Sequence, residues 1–132
     1  MIQKDVTILI ADRNPNVREF LKREMAAEKY RVIVAVDGKN LLEIATRSPR
    51  IADILIVDPE LPDMDASEIV EKLCRRTPPL PVIIHGLPEE DIAYRGSHSG
   101  IFIEKGSRSV EEIKRIVHEM EEGENCLPET GE

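Results

Sequence analysis

Apolar runs alternate with amphipathic, helix-like stretches along the whole chain. Five of these runs are short, mostly continuous and rich in β-branched residues, which is typical of strands buried on both faces. They cover residues 6–11, 32–36, 54–57, 82–84 and 101–103. The strict alternation of strands with helices predicts an α/β domain in which helices cover both faces of a parallel sheet.

Five helices are predicted between and after these strands. The signals at helix starts are Asn14 and Pro15 as cap and first turn, the Asp37-Gly38 pair, and capping-box patterns of Asp65 with Glu68 and of Ser109 with Glu112. The fourth helix, over 88–94, is predicted to be short because Gly96 follows hardly two turns after its start. The apolar period stops after Gly123, which predicts one domain over 1–123 and a flexible tail over 124–132.

This order of elements predicts a flavodoxin-like (βα)5 fold, a doubly wound parallel sheet with strand order 2-1-3-4-5. Ligands bind such sheets at the carboxyl ends of the strands, where the strand order reverses. Asp12 follows the first strand and Asp58 the third, so we expect both carboxylates in one crevice, facing Lys105 at the end of the fifth strand. One strand-end aspartate would more often cap a helix, but paired carboxylates commonly hold Mg²⁺, which prefers oxygen ligands.

Composition narrows the class of function. The 132 residues, 41% hydrophobic and 33% charged, suit one ordinary globular domain. The net charge of −8 and the lack of tryptophan argue against nucleic-acid binding, which favours basic surfaces and aromatic stacking platforms. Neither a membrane-spanning apolar run nor a signal peptide is found, so we expect a cytoplasmic protein without membrane insertion. Cys74 and Cys126 lack the spacing and the histidine partners of a zinc site.

Three segments resemble the receiver domains of response regulators. They are ILIADRNP at 8–15, DILIVDPELPDMD at 53–65 and IFIEK at 101–105, in the order in which the family has them. The resemblance covers roughly residues 6 to 121 and agrees with the topology predicted from the alternating pattern. The chain is therefore similar to a stand-alone receiver, a signalling module of two-component systems and not a metabolic enzyme.

The resemblance implies a role for each group in the crevice. Asp58 would accept a phosphoryl group from a sensor histidine kinase or a phosphotransfer protein, and Lys105 would contact the phosphoryl oxygens. Asp12, Asp58 and the backbone carbonyl of Glu60 would hold Mg²⁺, since phosphoryl transfer depends on positioning and charge neutralisation. Phe102 falls where the family has an aromatic switch residue, although plain core packing is an equal alternative. The output would be contact with an unknown downstream protein.

Two departures from the family pattern fall in the same crevice. Arg13 stands where the family has a second acid, the more direct metal ligand, and a positive charge there should weaken Mg²⁺ binding sharply. We hypothesise that Arg13 pairs with Asp12 or Asp58 and stands in for the metal's charge. Gly86 stands where a Ser or Thr hydroxyl would bond a phosphoryl oxygen and draw the next loop inward. Shifting the alignment by one residue would offer His85, whose side chain should point to the neighbouring face.

Three functions remain to be separated. The chain could be a phosphorylatable receiver in a phosphorelay, or a degenerate receiver that acts as a phosphorylation-independent interaction module. The third possibility, an unrelated flavodoxin-like enzyme or nucleotide binder, is disfavoured because no glycine-rich phosphate loop follows the first strand.

Gly106 replaces the usual proline after Lys105, and the stretch from Gly86 to Lys105 is short. Both features predict a stunted fourth helix. They put in doubt the dimerisation that the family usually makes through the face of that helix.

Overall fold

The computed structural model describes residues 4–47, 51–90 and 100–123. In chain order the elements are β1 (Thr7–Ala11), α1 (Pro15–Ala27), β2 (Arg31–Ala35), α2 (Gly38–Arg47), β3 (Ile54–Val57), α3 (Ser67–Arg75), β4 (Val82–Gly86), β5 (Ile101–Glu104) and α4 (Ser109–Glu121). The strands pair in parallel in the order β2-β1-β3-β4-β5. The predicted flavodoxin-like topology is confirmed, with four helices in the described ranges.

The sheet is buried on both faces because successive side chains of each strand point to opposite sides. Leu9 and Leu55 belong to a core cluster shared with α2 and α3. Ile10 and Ile56 belong to the opposite cluster, shared with α1 and α4. Full burial of each such side chain contributes about 1.5–3 kcal/mol. The strands are thus fixed from both sides, and so are the residues that directly follow them.

Helix α1 begins where the capping signal predicts. The side chain of Asn14 accepts a hydrogen bond from the N–H of Asn16 at 2.8 Å, and Pro15 is the first helical residue. Proline suits this position because its missing N–H would have no partner inside the helix. The start of α1 therefore lies directly beside the end of β1.

Helix α2 is held at its start by the loop that follows β3. The carboxylate of Asp63 accepts the N–H groups of Gly38 at 2.7 Å and Lys39 at 3.0 Å. These backbone hydrogen bonds lower the pKa of Asp63. A Cβ at Gly38 would lie 2.5 Å from the Cγ of Met64, so a larger residue there would force Met64 to shift. The loop after β3 is thereby fixed against α2.

The capping-box prediction is wrong for α3. This helix begins at Ser67 instead of Asp65, and its N-cap residue, Ala66, makes no side-chain hydrogen bond to the helix. Asp65 forms a β-bridge with Glu60 and its carboxylate accepts the N–H of Ser67 at 2.7 Å, which keeps Asp65 in the loop.

At α4 the start is predicted correctly but the capping box is not. The hydroxyl of Ser109, the first helical residue, donates to the carbonyl of Gly106 at 2.9 Å, and Arg108 precedes the helix without a side-chain cap. The hydroxyl is thus used in the loop and not on the helix.

Two predicted segments lie wholly or partly outside the described residues. Of the short helix predicted over 88–94, residues 88–90 form one 3₁₀ turn and the remainder falls in the undescribed stretch 91–99. The predicted tail, 124–132, also falls outside. Among the described residues, no helix combines the length and the apolar character that a membrane span requires.

Candidate functional site

Charged side chains gather where β1, β3 and β5 end. Asp12 and Asp58 directly follow β1 and β3, whose last residues are in register, and both are buried. The Nζ of Lys105, which follows β5, lies 2.9 Å from Oδ2 of Asp58 and 3.2 Å from Oδ2 of Asp12. The structure therefore brings together the three groups that the topology assigns to one crevice.

Arg13 pairs with Asp58, one of the two partners hypothesised for it. Its Nε lies 2.7 Å from Oδ2 and its Nη2 lies 2.6 Å from Oδ1, so the guanidinium binds both carboxylate oxygens at once. The backbone N–H of Arg13 also donates to Oδ2 at 3.2 Å. Bidentate pairs of this kind combine strong, charge-assisted hydrogen bonds with a fixed geometry. We call this arrangement the Arg13–Asp58 clamp.

Both oxygens of Asp58 have several donors. Oδ1 accepts from Arg13 and from the backbone N–H of Glu60 at 3.0 Å, and Oδ2 accepts from Arg13 and Lys105. The Asp58 side chain is 0% exposed, whereas that of Arg13 is 33% exposed. Glu60 contributes its backbone N–H to the aspartate, and the role of its backbone carbonyl as a metal ligand stays a prediction.

The two neighbouring carboxylates differ in their acidity. Burial opposes ionisation of Asp58, but hydrogen bonds from Arg13, Glu60 and Lys105 outweigh it and hold the pKa of Asp58 well below its usual range. For Asp12, burial and the charge of Asp58 prevail over the N–H of Asn14 and raise the pKa to about 6. Asp58 is therefore the more acidic of the two carboxylates.

The donor set does not fit the predicted Mg²⁺ site. Magnesium demands near-octahedral oxygen coordination, while here a guanidinium already binds both oxygens of Asp58. A unit positive charge ~4 Å from a divalent cation costs about 8 kcal/mol at an effective dielectric constant of about 20, before screening by solvent. Within the described ranges, no group of three His, Cys, Asp or Glu side chains is arranged to hold a metal ion.

The space of the missing hydroxyl is occupied. A Cβ at Gly86 would lie 2.6 Å from Cγ of Pro59 and 2.9 Å from Oε1 of Glu90, closer than real Cβ contacts come. Glu90 in turn binds Nη2 of Arg13 through Oε2 at 2.8 Å. Sequence analysis missed Glu90 as a site residue. The available signal was a carboxylate shortly after β4, together with an arginine that needed a second anion.

His85 is a buried strand residue. Its Nε2 lies 3.0 Å from the hydroxyl of Ser109, and its Nδ1 has no hydrogen-bond partner among the described residues. Burial, with the charge of Lys105, lowers the pKa of His85 to about 4, so the ring is neutral near pH 7. His85 is thus packed and uncharged at the end of β4.

Phe102 lies on β5, in register with Ile84 of β4. It is half-buried and packs against the cluster shared with α2 and α3. Its role as an aromatic switch stays a prediction.

Comparison with known proteins gives one consistent result. The family described as Response regulator receiver domain matches residues 8–120. Response regulator GtcR of Aneurinibacillus migulanus is 34% identical over 113 residues, which cover 83% of this chain and 46% of GtcR. The probable transcriptional regulatory protein TcrX of Mycobacterium tuberculosis is 30% identical over 79 residues, covering 60% of this chain and 33% of TcrX. The chain thus spans less than half the length of these relatives.

Two solved structures show the same fold. The receiver domain of the Francisella response regulator 1452 superimposes with a TM-score of 0.75 at 24% identity, over 92% of this chain and 100% of that one. Response regulator TrrA of Thermotoga maritima, solved in complex with Mg²⁺ and BeF, gives a TM-score of 0.74 at 24% identity, over 87% and 98% of the two chains.

Proposed function

Because the chain belongs to the response regulator receiver domain family, we propose that it acts in two-component signalling as a receiver that Arg13 holds in one state. In this proposal the domain signals through contact with a downstream protein. It depends neither on Mg²⁺ nor on a phosphoryl group at Asp58, because the guanidinium supplies the positive charge next to Asp58.

The Arg13–Asp58 clamp is the observation that carries this proposal. A phosphoryl donor would have to reach an oxygen of Asp58, whose side chain is 0% exposed and whose oxygens are both bound by the guanidinium. Arg13 would first have to leave, and breaking a buried ion pair costs roughly 3–5 kcal/mol. A cost of that size would slow transfer by roughly two to four orders of magnitude.

Phosphorylation by a small-molecule donor tests the proposal. The purified chain is incubated with acetyl phosphate, with and without Mg²⁺, and its intact mass is measured. We expect the wild type to stay unmodified and Arg13→Asp to gain one phosphoryl group when Mg²⁺ is present. Arg31→Asp makes the same charge change on an exposed arginine at the other edge of the sheet. Modification of the wild type as fast as that of Arg13→Asp would contradict the proposal.

A second candidate is the family's phosphorelay role, favoured by the position of Lys105. Its Nζ lies 2.9 Å from Oδ2 of Asp58, where it would neutralise the oxygens of an arriving phosphoryl group. In that reaction the bond between phosphorus and a histidine nitrogen of a sensor kinase or phosphotransfer protein breaks, and a bond from phosphorus to an Asp58 oxygen forms. Arg13, one third exposed, would swing outward first. Wild-type phosphorylation that is lost in Lys105→Ala would favour this candidate.

The two candidates also differ in their downstream contact. Co-purification from the native cells, where we expect the protein in the cytoplasm, would identify the bound partner. The Asp58→Asn substitution can itself alter the surface that binds the partner, because it breaks the Arg13–Asp58 clamp. Partner affinity of the wild type is therefore measured before and after treatment with acetyl phosphate. We expect no change in affinity, and an affinity that depends on the phosphoryl donor would favour the second candidate.

A further inference from the structure

A chain of three contacts leads from Asp58 to the backbone after β4. Nη2 of Arg13 lies 2.6 Å from Oδ1 of Asp58 and 2.8 Å from Oε2 of Glu90, so one nitrogen bridges two carboxylates. The other Glu90 oxygen, Oε1, accepts the backbone N–H of Leu87 at 2.7 Å. The N–H of Glu90 donates back to the carbonyl of Leu87 at 2.9 Å, which closes the turn.

The sequence departures in the crevice fit one another. The carboxylate of Glu90 occupies space that a side chain at position 86 would need, so a Ser or Thr there would have to displace Glu90 and Pro59, whereas Gly86 accommodates both. Glu90 also brings a negative charge close to the buried Asp58, and Arg13 stands between the two carboxylates. Without that guanidinium the two like charges would repel each other in a poorly hydrated site. The three residues therefore form one arrangement.

From these contacts we infer that Arg13 and Glu90 act together as a mechanical tie between Asp58 and the segment after β4. Glu90 is a positioning residue in this scheme: it orients Arg13 over Asp58 and fixes the turn at Leu87. The tie takes over the part that a hydroxyl at position 86 would otherwise play. The inference deepens the proposed function and rests on its Arg13–Asp58 clamp.

A second route from Asp58 to β4 exists and has to be separated from the tie. Lys105 binds Asp58 through Nζ, and its backbone N–H donates to the carbonyl of Gly86 at 2.7 Å. A change at Asp58 could therefore reach the end of β4 without Arg13. The distinguishing residue is Leu87, because its N–H binds Glu90.

The test uses the amide of Leu87 as a reporter in ¹H–¹⁵N NMR spectra of the full chain. The perturbation is Asp58→Asn, which removes the charge that anchors Arg13. We expect the Leu87 resonance to shift and its amide hydrogen to exchange roughly fivefold faster, as for the loss of one ordinary hydrogen bond. Asp58→Asn is then added to Arg13→Gln and to Glu90→Gln. In each case we expect the Leu87 amide of the double variant to match that of the single variant without Asp58→Asn. Glu89→Gln removes the neighbouring exposed carboxylate as a matched control and should leave the response intact.

Two results would overturn the tie. One is a Leu87 amide that does not respond to Asp58→Asn while the domain remains folded. The other is a response that persists in Arg13→Gln, which would assign transmission to Lys105. If Asp58→Asn does not fold, Asp58→Glu serves as the perturbation, since it keeps the charge but displaces the carboxylate, and the same two results apply. The NMR experiment contains no acetyl phosphate. A separate phosphorylation experiment that refuted the proposed function would therefore leave the NMR result unaffected.

Discussion

Each edge of the sheet carries an arginine–aspartate pair, and the two pairs differ chiefly in burial. At the carboxyl ends, Arg13 and Asp58 meet at 2.6 Å with side chains 33% and 0% exposed. At the amino ends, Arg31 and Asp5 meet at 3.2 Å with side chains 54% and 94% exposed. An exposed pair contributes about 0–1 kcal/mol, while removal of one partner from a buried pair costs about 3–5 kcal/mol. Identical side chains thus hold a buried carboxylate in place at one end of the sheet and have little effect on stability at the other.

The largest contrast is expected when each arginine is replaced by glutamine. Arg13→Gln leaves Asp58 buried with Lys105 as its remaining cation, so we expect the free energy of unfolding to fall by about 3 kcal/mol. Arg31→Gln, at the exposed pair, should cost less than about 1 kcal/mol. Urea denaturation of both variants measures the difference. Equal losses would remove the distinction between the two edges.

Charge reversal at the same two positions should change Mg²⁺ affinity at only one of them. In Arg13→Asp a carboxylate replaces the cation beside Asp12 and Asp58, and we expect Mg²⁺ to bind about a hundredfold more tightly than to the wild type. Arg31→Asp should leave the affinity as it is. Calorimetric titration provides the measurement. If Arg13→Asp binds Mg²⁺ no better than the wild type, Arg13 is not what keeps the cation out.

The free energy of unfolding should also depend on pH through His85, which lies near the carboxyl ends of the strands. Burial lowers its pKa in the folded state to about 4, while the unfolded chain keeps the ordinary value of about 6.5. Between these values only the unfolded state takes up the proton, so the stabilisation is complete above pH ~6.5 and is lost as the pH falls toward ~4. From pH ~7.5 to ~5, wild type should lose about 2 kcal/mol relative to His85→Gln.

Comparing the variant with the wild type is necessary because Asp12 acts in the opposite direction. Its pKa is raised to about 6 in the folded state, which favours folding as the pH falls. That contribution is common to both proteins and cancels in the difference between their urea midpoints. A difference that stays constant with pH would show that His85 is not held neutral by burial.

A smaller effect than those of Arg13 and His85 is expected at the amino ends of the strands. The hydroxyl of Tyr30 donates to Glu121 at 2.8 Å and lies 3.4 Å from Nζ of Lys4, and burial keeps the phenol protonated by raising its pKa. Tyr30→Phe removes this hydrogen bond and should cost about 1 kcal/mol in thermal or urea unfolding. A loss as large as that of Arg13→Gln would mean that polar contacts at the two edges are energetically alike.

The sequence predicts well what depends on the order of elements. Alternating runs determine the parallel sheet, and the sheet determines that Asp12, Asp58 and Lys105 come together, because each directly follows a buried strand. The helix starts are harder to predict, since capping patterns are local and tertiary contacts override them. Asp65 is the example: its bridge to Glu60 moves the start of α3 to Ser67.

What the sequence does not predict is which side chains meet across loops. Arg13 had two acidic partners within reach, and the choice of Asp58 depends on angles that the residue order does not contain. Glu90 was not singled out because its contact with Arg13 joins residues 77 positions apart. In the sequence, Gly86 indicates only that the Ser or Thr hydroxyl of the family pattern is missing. In the structure, Pro59 and Glu90 fill the space that such a side chain would need.

The central claim is that Arg13 takes the place of a divalent cation at Asp58, and the Nε–H resonance of Arg13 reports on it directly. In ¹H–¹⁵N spectra of the wild type we expect a well-resolved, slowly exchanging Nε–H signal from the bond to Asp58, unchanged by millimolar Mg²⁺. A signal that disappears or moves to the position of a free arginine when Mg²⁺ is added would contradict the claim.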